Sequence, residues 1–137
     1  MRVVDKTFFT ERKLEAIERA LARLSPLASN CRLCPRQCQV DRLADRTGIC
    51  QTGDQARVST SLLHFGEEPV LSGQGGPGKA GGSGTIFFAG CNLKCLFCQN
   101  YQLSWLNEGE LVSDQQLADF MLNLQAQGAL NINLVSP

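Results

Sequence analysis

The sequence predicts an α/β fold, because two short apolar segments typical of buried strands flank a segment typical of an amphipathic helix. The first strand is expected at residues 85–89 and the second at residues 131–135. A strand, a long connection, a helix and a strand form a β-α-β unit, which implies a parallel pair joined by a right-handed crossover. The chain has 137 residues, enough for one domain with a core of moderate size.

The helix of this unit has a recognisable beginning and end. Ser113 and Gln116 occupy the positions of a capping box, which satisfies free backbone N–H groups of the first turn. Gly128 is a suitable C-terminal stop. The apolar stripe of the helix consists of Leu117, Phe120, Met121 and Leu124.

The N-terminal region, residues 1–28, contains a second amphipathic helix. It is predicted over residues 10–24, with Thr10 as the N-cap and Pro26 marking the end. Its apolar residues recur at helical spacing and are expected to form a packing surface: Leu14, Ile17, Leu21 and Leu24.

Three further regions follow this helix. Residues 29–60 are a cysteine-rich segment expected to bind metal, and residues 61–83 contain a strand and a glycine-rich linker. That strand is predicted over residues 56–65, from a weak alternation of apolar and polar residues. Residues 84–137 hold the β-α-β unit.

The charge and hydropathy patterns exclude several classes of partner. Lysine plus arginine number 13 and aspartate plus glutamate number 13, so no basic footprint indicates nucleic acid or an anionic membrane. No apolar run approaches the roughly 18 residues that a membrane span needs. The first ten residues lack the apolar core of a signal peptide. A cytoplasmic location is therefore predicted.

Seven cysteines are the unusual feature of the composition. An odd count without a signal peptide argues against a secreted disulfide framework, and in a reducing cytosol clustered thiolates are better explained as metal ligands. They divide into a group of four, Cys31, Cys34, Cys38 and Cys50, and a group of three, Cys91, Cys95 and Cys98.

The group of three follows the first predicted strand and predicts a 4Fe–4S cluster. Three close thiolates can bind three of its irons and leave the fourth open to a small molecule. Zinc is a poorer explanation, because it prefers four ligands and no fourth Cys or His follows closely. Ligands of α/β sheets bind outside the carboxyl ends of the strands, which is where these cysteines are expected.

The spacing of the group of four does not identify the metal that it would bind. Four thiolates in twenty residues fit tetrahedral zinc or a second iron–sulfur cluster, and the spacing does not choose between them. A metal here would be a structural staple for a loop-rich segment. The other interpretation is a set of reduced, unligated thiols.

The Cys-x3-Cys-x-aromatic-Cys pattern, with Phe97 at the aromatic position, resembles the radical S-adenosylmethionine superfamily. The flanking residues 64–69, 84–88 and 98–101 are similar to those of pyruvate formate-lyase activating enzyme-like proteins. The cysteine-rich run at 31–38 is similar to that group as well. The resemblance covers roughly residues 29–137.

The resemblance implies an enzyme that reductively cleaves S-adenosylmethionine to a 5′-deoxyadenosyl radical. Cys91, Cys95 and Cys98 would bind the cluster, the amino and carboxylate groups of S-adenosylmethionine would chelate the fourth iron, and Phe97 would lie near the adenine end. The implied partners are a one-electron donor protein and, for an activase, a glycyl radical enzyme as the substrate. The alternative is a non-catalytic iron–sulfur or zinc-binding module.

The resemblance also implies a barrel of six β-α units, of which residues 84–137 supply only the first. The family's contact with the amino group of S-adenosylmethionine follows the second strand. We therefore expect an N-terminal part of a larger enzyme or a truncated product, which binds a cluster but turns over poorly alone.

Overall fold

The computed structural model of the chain describes residues 11–73 and 81–135. It confirms a mixed α/β fold with one four-stranded mixed sheet, in which the strand order is β3-β1-β2-β4. The strands are β1 (Ala56–His64), β2 (Ser83–Phe88), β3 (Glu110–Val112) and β4 (Asn131–Val135). The helices are α1 (Glu11–Ser29), α2 (Pro69–Ser72), α3 (Tyr101–Ser104) and α4 (Asp114–Ala126).

The β-α-β unit predicted from the sequence is present. β2 and β4 pair in parallel, with Ile86 opposite Leu134, and α4 connects them after the loop and β3. β1 runs antiparallel to both β2 and β3. Because β2 has a neighbour on each side, its residues from Ser83 to Ile86 are buried, as expected for an apolar central strand.

The core lies between the sheet and α4. Its buried residues are Val58, Ile86, Val112 and Leu124, with Leu117, Phe120 and Met121 of the predicted stripe packed against them. Burying an aliphatic side chain of this size stabilises a fold by roughly 1.5–3 kcal/mol. The helix begins with the predicted capping box, in which the Ser113 hydroxyl accepts from the Gln116 N–H at 3.2 Å.

The N-terminal helix differs from its prediction. α1 continues to Ser29, with Pro26 inside it, so the predicted end at the proline is wrong. Proline lacks a backbone N–H, so one hydrogen bond of the helix is missing at Pro26. The Ser25 hydroxyl, next to it in the chain, donates to the Leu21 carbonyl at 2.9 Å. No residue of α1 is buried, and its stripe is half-exposed to solvent. The predicted N-cap, Thr10, lies outside the described residues.

Strand boundaries differ less from their predictions. β1 is confirmed, ending one residue early at His64, and it crosses the boundary predicted after residue 60. β2 begins at Ser83, two residues earlier than predicted, because Ser83 and Gly84 already pair with β1 and β4. Within the glycine-rich run, residues 74–80 lie outside the described part of the chain. No helix within the described ranges is long and apolar enough to cross a membrane.

Candidate metal centre

The loop that carries the second cysteine group, here called the cysteine loop (residues 91–98), leaves the sheet at the carboxyl end of β2. Gly90 turns the chain there with a φ of 85°, which glycine adopts readily, and its N–H donates to the Leu103 carbonyl at 2.9 Å. Cys91 is 5% exposed, whereas Cys95 and Cys98 are partly buried. The strand end thus fixes the first cysteine and leaves the other two nearer to solvent.

Two sulfur atoms of the cysteine loop accept hydrogen bonds. The backbone N–H of Leu93 donates to Cys91 Sγ at 3.4 Å, and the buried Ser104 hydroxyl donates to Cys98 Sγ at 3.2 Å. Donors of this kind stabilise negative charge on sulfur, and they tune iron–sulfur clusters when thiolates bind one. The sulfurs therefore lie in surroundings that suit thiolate ligands.

Side chains near α3 hold the loop from the other side. Trp105 Nε1 donates to the Cys95 carbonyl at 3.0 Å and so anchors the backbone of the cysteine loop. The Lys94 ammonium lies 5.5 Å from the centre of the Trp105 ring and donates to the Ser104 carbonyl. Tyr101 stacks on Trp105 at 6.1 Å between ring centroids. Sequence reasoning missed Lys94 and Ser104, and no local pattern marks either residue.

Phe97 lies at the outer tip of the cysteine loop. Its side chain is 91% exposed, and that of the preceding Leu96 is equally exposed. Neither the Phe97 ring nor the Leu96 side chain contributes to the core, so both can contact a ligand or another surface. The expected position of Phe97 beside an adenine ring stays a prediction.

A cavity of about 450 Å³ opens at the carboxyl ends of β2 and β4. Its walls include the residues that lead into the cysteine loop, Phe88, Ala89 and Gly90, together with Leu134 of β4 and residues of the loop before β1. Cavities of this size accommodate small organic ligands. The cavity and Cys91 share the edge of the sheet at which α/β proteins bind their ligands.

The group of four cysteines lies in a segment without helix or strand, here called the N-terminal cysteine segment (residues 31–52). Cys31 is 2% exposed, and the other three cysteines are partly buried. Backbone hydrogen bonds shape the start of the segment, where Cys31 N–H donates to the Val40 carbonyl at 3.0 Å and Gln39 N–H donates to the Cys31 carbonyl at 2.9 Å. The chain therefore reverses direction within residues 31–40, and the two ends of this stretch lie side by side.

Arg42 is the residue of this segment that sequence reasoning missed. Its guanidinium is 8% exposed and donates to Cys31 Sγ at 3.0 Å, to Cys50 Sγ at 3.1 Å and to the Thr52 carbonyl. Among the described residues, no carboxylate forms a salt bridge with it. A buried cation is stabilised by nearby negative charge, which these two sulfurs supply when their thiols ionise. The local sequence offers no signal for it, because Arg42 and Arg46 both lie between Cys38 and Cys50 and no pattern distinguishes them.

The ionisation of both thiols responds to these contacts. The backbone N–H of Leu33 lowers the pKa of Cys31, and Arg42 adds to the effect against the opposing influence of burial. Burial raises the pKa of Cys50, but hydrogen bonds from Arg42 and Thr52 outweigh it, so the net pKa is lowered. Burial likewise opposes the charge of Arg42, and the two sulfurs reverse this and raise its pKa. Arg42 and the two sulfurs thus stabilise one another's charge.

Neither cysteine group is a preassembled metal site. Within residues 11–73 and 81–135, no three Cys, His, Asp or Glu side chains lie together in a way that could hold a metal ion. The donor chemistry nevertheless fits a cluster at the cysteine loop, because three thiol ligands lie within eight residues and two already accept hydrogen bonds. Metal binding would then have to gather the three sulfurs, which couples it to local folding.

The comparisons with known proteins give one similarity. The chain is 44% identical over 75 residues to an uncharacterized protein of Methanocaldococcus jannaschii, across 55% of this chain and 19% of that protein. The chain thus spans about a fifth of the length of the curated relative that it matches. No model of a protein family matches the chain, and no solved structure matches it.

Proposed function

We propose that the chain is an iron–sulfur protein of the radical S-adenosylmethionine type, in which Cys91, Cys95 and Cys98 hold a 4Fe–4S cluster. The observation that carries the proposal is the origin of the cysteine loop at the carboxyl end of β2, the strand that pairs in parallel with β4. Three thiols on one loop leave one iron of a cubane cluster without a protein ligand. The adjoining cavity of about 450 Å³ gives room for a small molecule there.

The residues of the chain have separate tasks in this proposal. The three cysteines bind iron, while the Leu93 N–H and the Ser104 hydroxyl stabilise charge on Cys91 and Cys98. Trp105 fixes the loop backbone through the Cys95 carbonyl. When bound, the cluster supplies the electron that cleaves S-adenosylmethionine into methionine and a 5′-deoxyadenosyl radical, which takes a hydrogen atom from a substrate. Phe97, exposed at the loop tip, is available to contact the nucleoside.

The proposal extends to the wider fold and to the partners. β2, α4 and β4 would be the first unit of a (β/α)6 barrel, and the chain would act in the cytoplasm, where thiols stay reduced. It requires a one-electron donor protein. A glycyl radical enzyme as the protein substrate, with this chain as part of its activase, is supported by family resemblance alone.

A non-catalytic iron–sulfur or zinc-binding module is the second candidate. Two of the three strand pairings in the described sheet are antiparallel, so only one pair has the arrangement of a barrel. The buried contact of Arg42 with two sulfurs also suits a structural site, because it neutralises charge without leaving a position open to substrate. Under this candidate, metal would be bound and S-adenosylmethionine would not.

The test is anaerobic reconstitution with iron and sulfide, followed by counts of iron, sulfide and zinc per chain. The triple variant Cys91→Ala, Cys95→Ala, Cys98→Ala is expected to lose about four irons relative to the wild type. Its matched control, Cys34→Ala, Cys38→Ala, leaves both sulfur partners of Arg42 in place and should keep them. The metal that remains in the first variant identifies the occupant of the N-terminal cysteine segment. An unchanged iron count in the first variant would overturn the proposal.

Addition of S-adenosylmethionine to the reduced, reconstituted chain separates the two candidates. An open iron predicts a change in the electron paramagnetic resonance spectrum on addition, because the ligand changes the coordination of one iron. If the spectrum of the iron-loaded chain does not change on addition of S-adenosylmethionine, the result supports the non-catalytic module instead.

A further inference from the structure

The two cysteine regions touch each other through Arg36, which bonds to residues 56 and 57 positions further along the chain. The Arg36 guanidinium donates from Nε to the Asn92 carbonyl at 2.9 Å and from Nη2 to the Leu93 carbonyl at 3.3 Å. Both acceptors lie between Cys91 and Cys95. Arg36 itself lies between Cys34 and Cys38, so a single side chain joins the middle of one cysteine group to the middle of the other.

A second contact lies at the entrance of the cysteine loop. A Cβ atom on Gly90 would lie 2.5 Å from the Cys50 carbonyl oxygen and 2.7 Å from Thr52 Oγ1. Those distances are shorter than any real Cβ contact, so the backbone immediately before Cys91 passes directly against the end of the N-terminal cysteine segment. The close approach requires glycine for its size as well as for its positive φ.

The N-terminal side of both contacts is itself held in place. The Arg42 guanidinium links the Cys31 sulfur, the Cys50 sulfur and the Thr52 carbonyl in a buried cluster. The backbone N–H of Arg42 donates to the Ala28 carbonyl near the end of α1 at 2.9 Å. The surface that meets Gly90 is therefore fixed from within. The N-terminal cysteine segment contacts the chain at two points, at Gly90 just before the cysteine loop and at the two residues after Cys91.

We propose that the N-terminal cysteine segment is the support on which the cysteine loop is positioned, and that Arg36 is a positioning residue for the iron site. Arg36 touches no ligand and acts through the carbonyls of Asn92 and Leu93, whose peptide units carry the chain from Cys91 toward Cys95. A planar fork with two donors restrains two successive carbonyls at once, which a single-point contact does not do. The inference rests on the proposed function where it concerns iron, but the support itself is a property of the metal-free chain.

Hydrogen exchange of the full, metal-free chain tests the support directly. In Arg36→Gln, amides of residues 91–98 are expected to exchange roughly three- to tenfold faster, the range expected for loss of a typical hydrogen bond. Arg32→Gln is the matched control, because Arg32 is exposed in the same segment and makes no side-chain hydrogen bond to the loop in the described structure. Amides of β2 serve as the internal reference and should not change. Equal exchange of the loop in wild type and Arg36→Gln overturns the proposal.

The iron-loaded protein gives a second readout that a general loss of stability would not produce. Arg36→Gln should lose iron faster to a chelator and broaden the electron paramagnetic resonance spectrum of the reduced cluster. Arg36→Lys, which keeps the positive charge and a donor group at the end of a long side chain, should recover part of both effects. If even the wild type binds no iron, the proposed function fails, while the exchange result still decides whether the support exists. Faster loop exchange with an unchanged rate of iron loss and an unchanged spectrum would overturn the role of Arg36 at the iron site.

Discussion

The two cysteine regions are built in opposite ways. The cysteine loop extends from β2, a strand with neighbours on both sides, and it is fastened by backbone turns and by Trp105. The N-terminal cysteine segment contains no helix or strand, and its buried centre is a charged guanidinium between two sulfurs. The cysteine loop starts from a buried strand of the sheet, while the N-terminal cysteine segment depends on compensation of charge at its centre.

This difference decides how each region should respond to perturbation. Apolar packing is indifferent to pH and to metal, whereas a buried cation destabilises a fold as soon as its partners lose their charge. We therefore expect the N-terminal cysteine segment to be the first part of the described chain to loosen when thiolates are removed. Because the cysteine loop rests against this segment at Gly90, loosening should reach the loop as well.

The largest effect is expected from Arg42→Ala in the metal-free chain. The substitution removes the shared partner of Cys31 and Cys50 and leaves a cavity, which should lower the free energy of unfolding by about 3 kcal/mol. Anaerobic urea denaturation measures the change. Arg46→Ala is the control, because Arg46 is exposed in the same segment and should alter stability by less than about 0.5 kcal/mol. Equal stability of the two variants would show that the buried guanidinium does not hold the segment.

Gly90→Ala should have the next largest effect on the free energy of unfolding, because the added methyl group disrupts the contact between the two regions. The new Cβ would meet a backbone carbonyl and a threonine hydroxyl in a left-handed conformation, and we expect a loss of about 2 kcal/mol. The control is Gly66→Ala, whose Cβ would meet only the movable imidazole of His64. Denaturation of both variants gives the difference. A Gly90→Ala chain as stable as the control would show that the two regions do not press together.

The sequence predicted the sheet and α4, here called the sheet-supported region, far better than the N-terminal cysteine segment. The sequence predicted β2, α4 and β4 from apolar patterns and a capping box. These signals depend only on residues close together in the chain, so a single sequence shows them. β3 went unnoticed, since three residues carry no periodicity and become a strand only by pairing with β1. Arg42 and Arg36 were missed for a related reason: their partners are defined by the course of the chain, and no spacing rule indicates them.

The stability of the metal-free chain should also rise with pH, up to the pKa of an unfolded-chain thiol at about 8.5. Both Cys31 and Cys50 have a lowered pKa in the folded chain, so the unfolded chain binds more protons than the folded one between that pKa and about 8.5. Their contribution is complete above the unfolded pKa and is lost as the pH falls through the folded pKa. Each thiol contributes a slope of at most about 1.4 kcal/mol per pH unit.

Urea denaturation at several pH values measures this dependence. The variant Cys31→Ser, Cys50→Ser removes both titrating groups and should flatten the curve over that interval. Ser113→Ala, which removes no titrating group, is the control from the sheet-supported region and should keep the wild-type slope. A double variant that retains the full slope would assign the pH dependence to other groups.

The smallest effect is expected at the cap of α4, which belongs wholly to the sheet-supported region. Ser113→Ala removes the acceptor of the Gln116 N–H, and the loss of such a cap lowers stability by about 1 kcal/mol. Because α4 packs on the sheet, hydrogen exchange of residues 31–52 should stay unchanged in this variant. The control is Ser25→Ala, whose hydroxyl bonds within the exposed helix α1. If Ser113→Ala also accelerated exchange in residues 31–52, the two regions would be stabilised as one cooperative unit, and the contrast between packing and charge would not describe how this chain is held together.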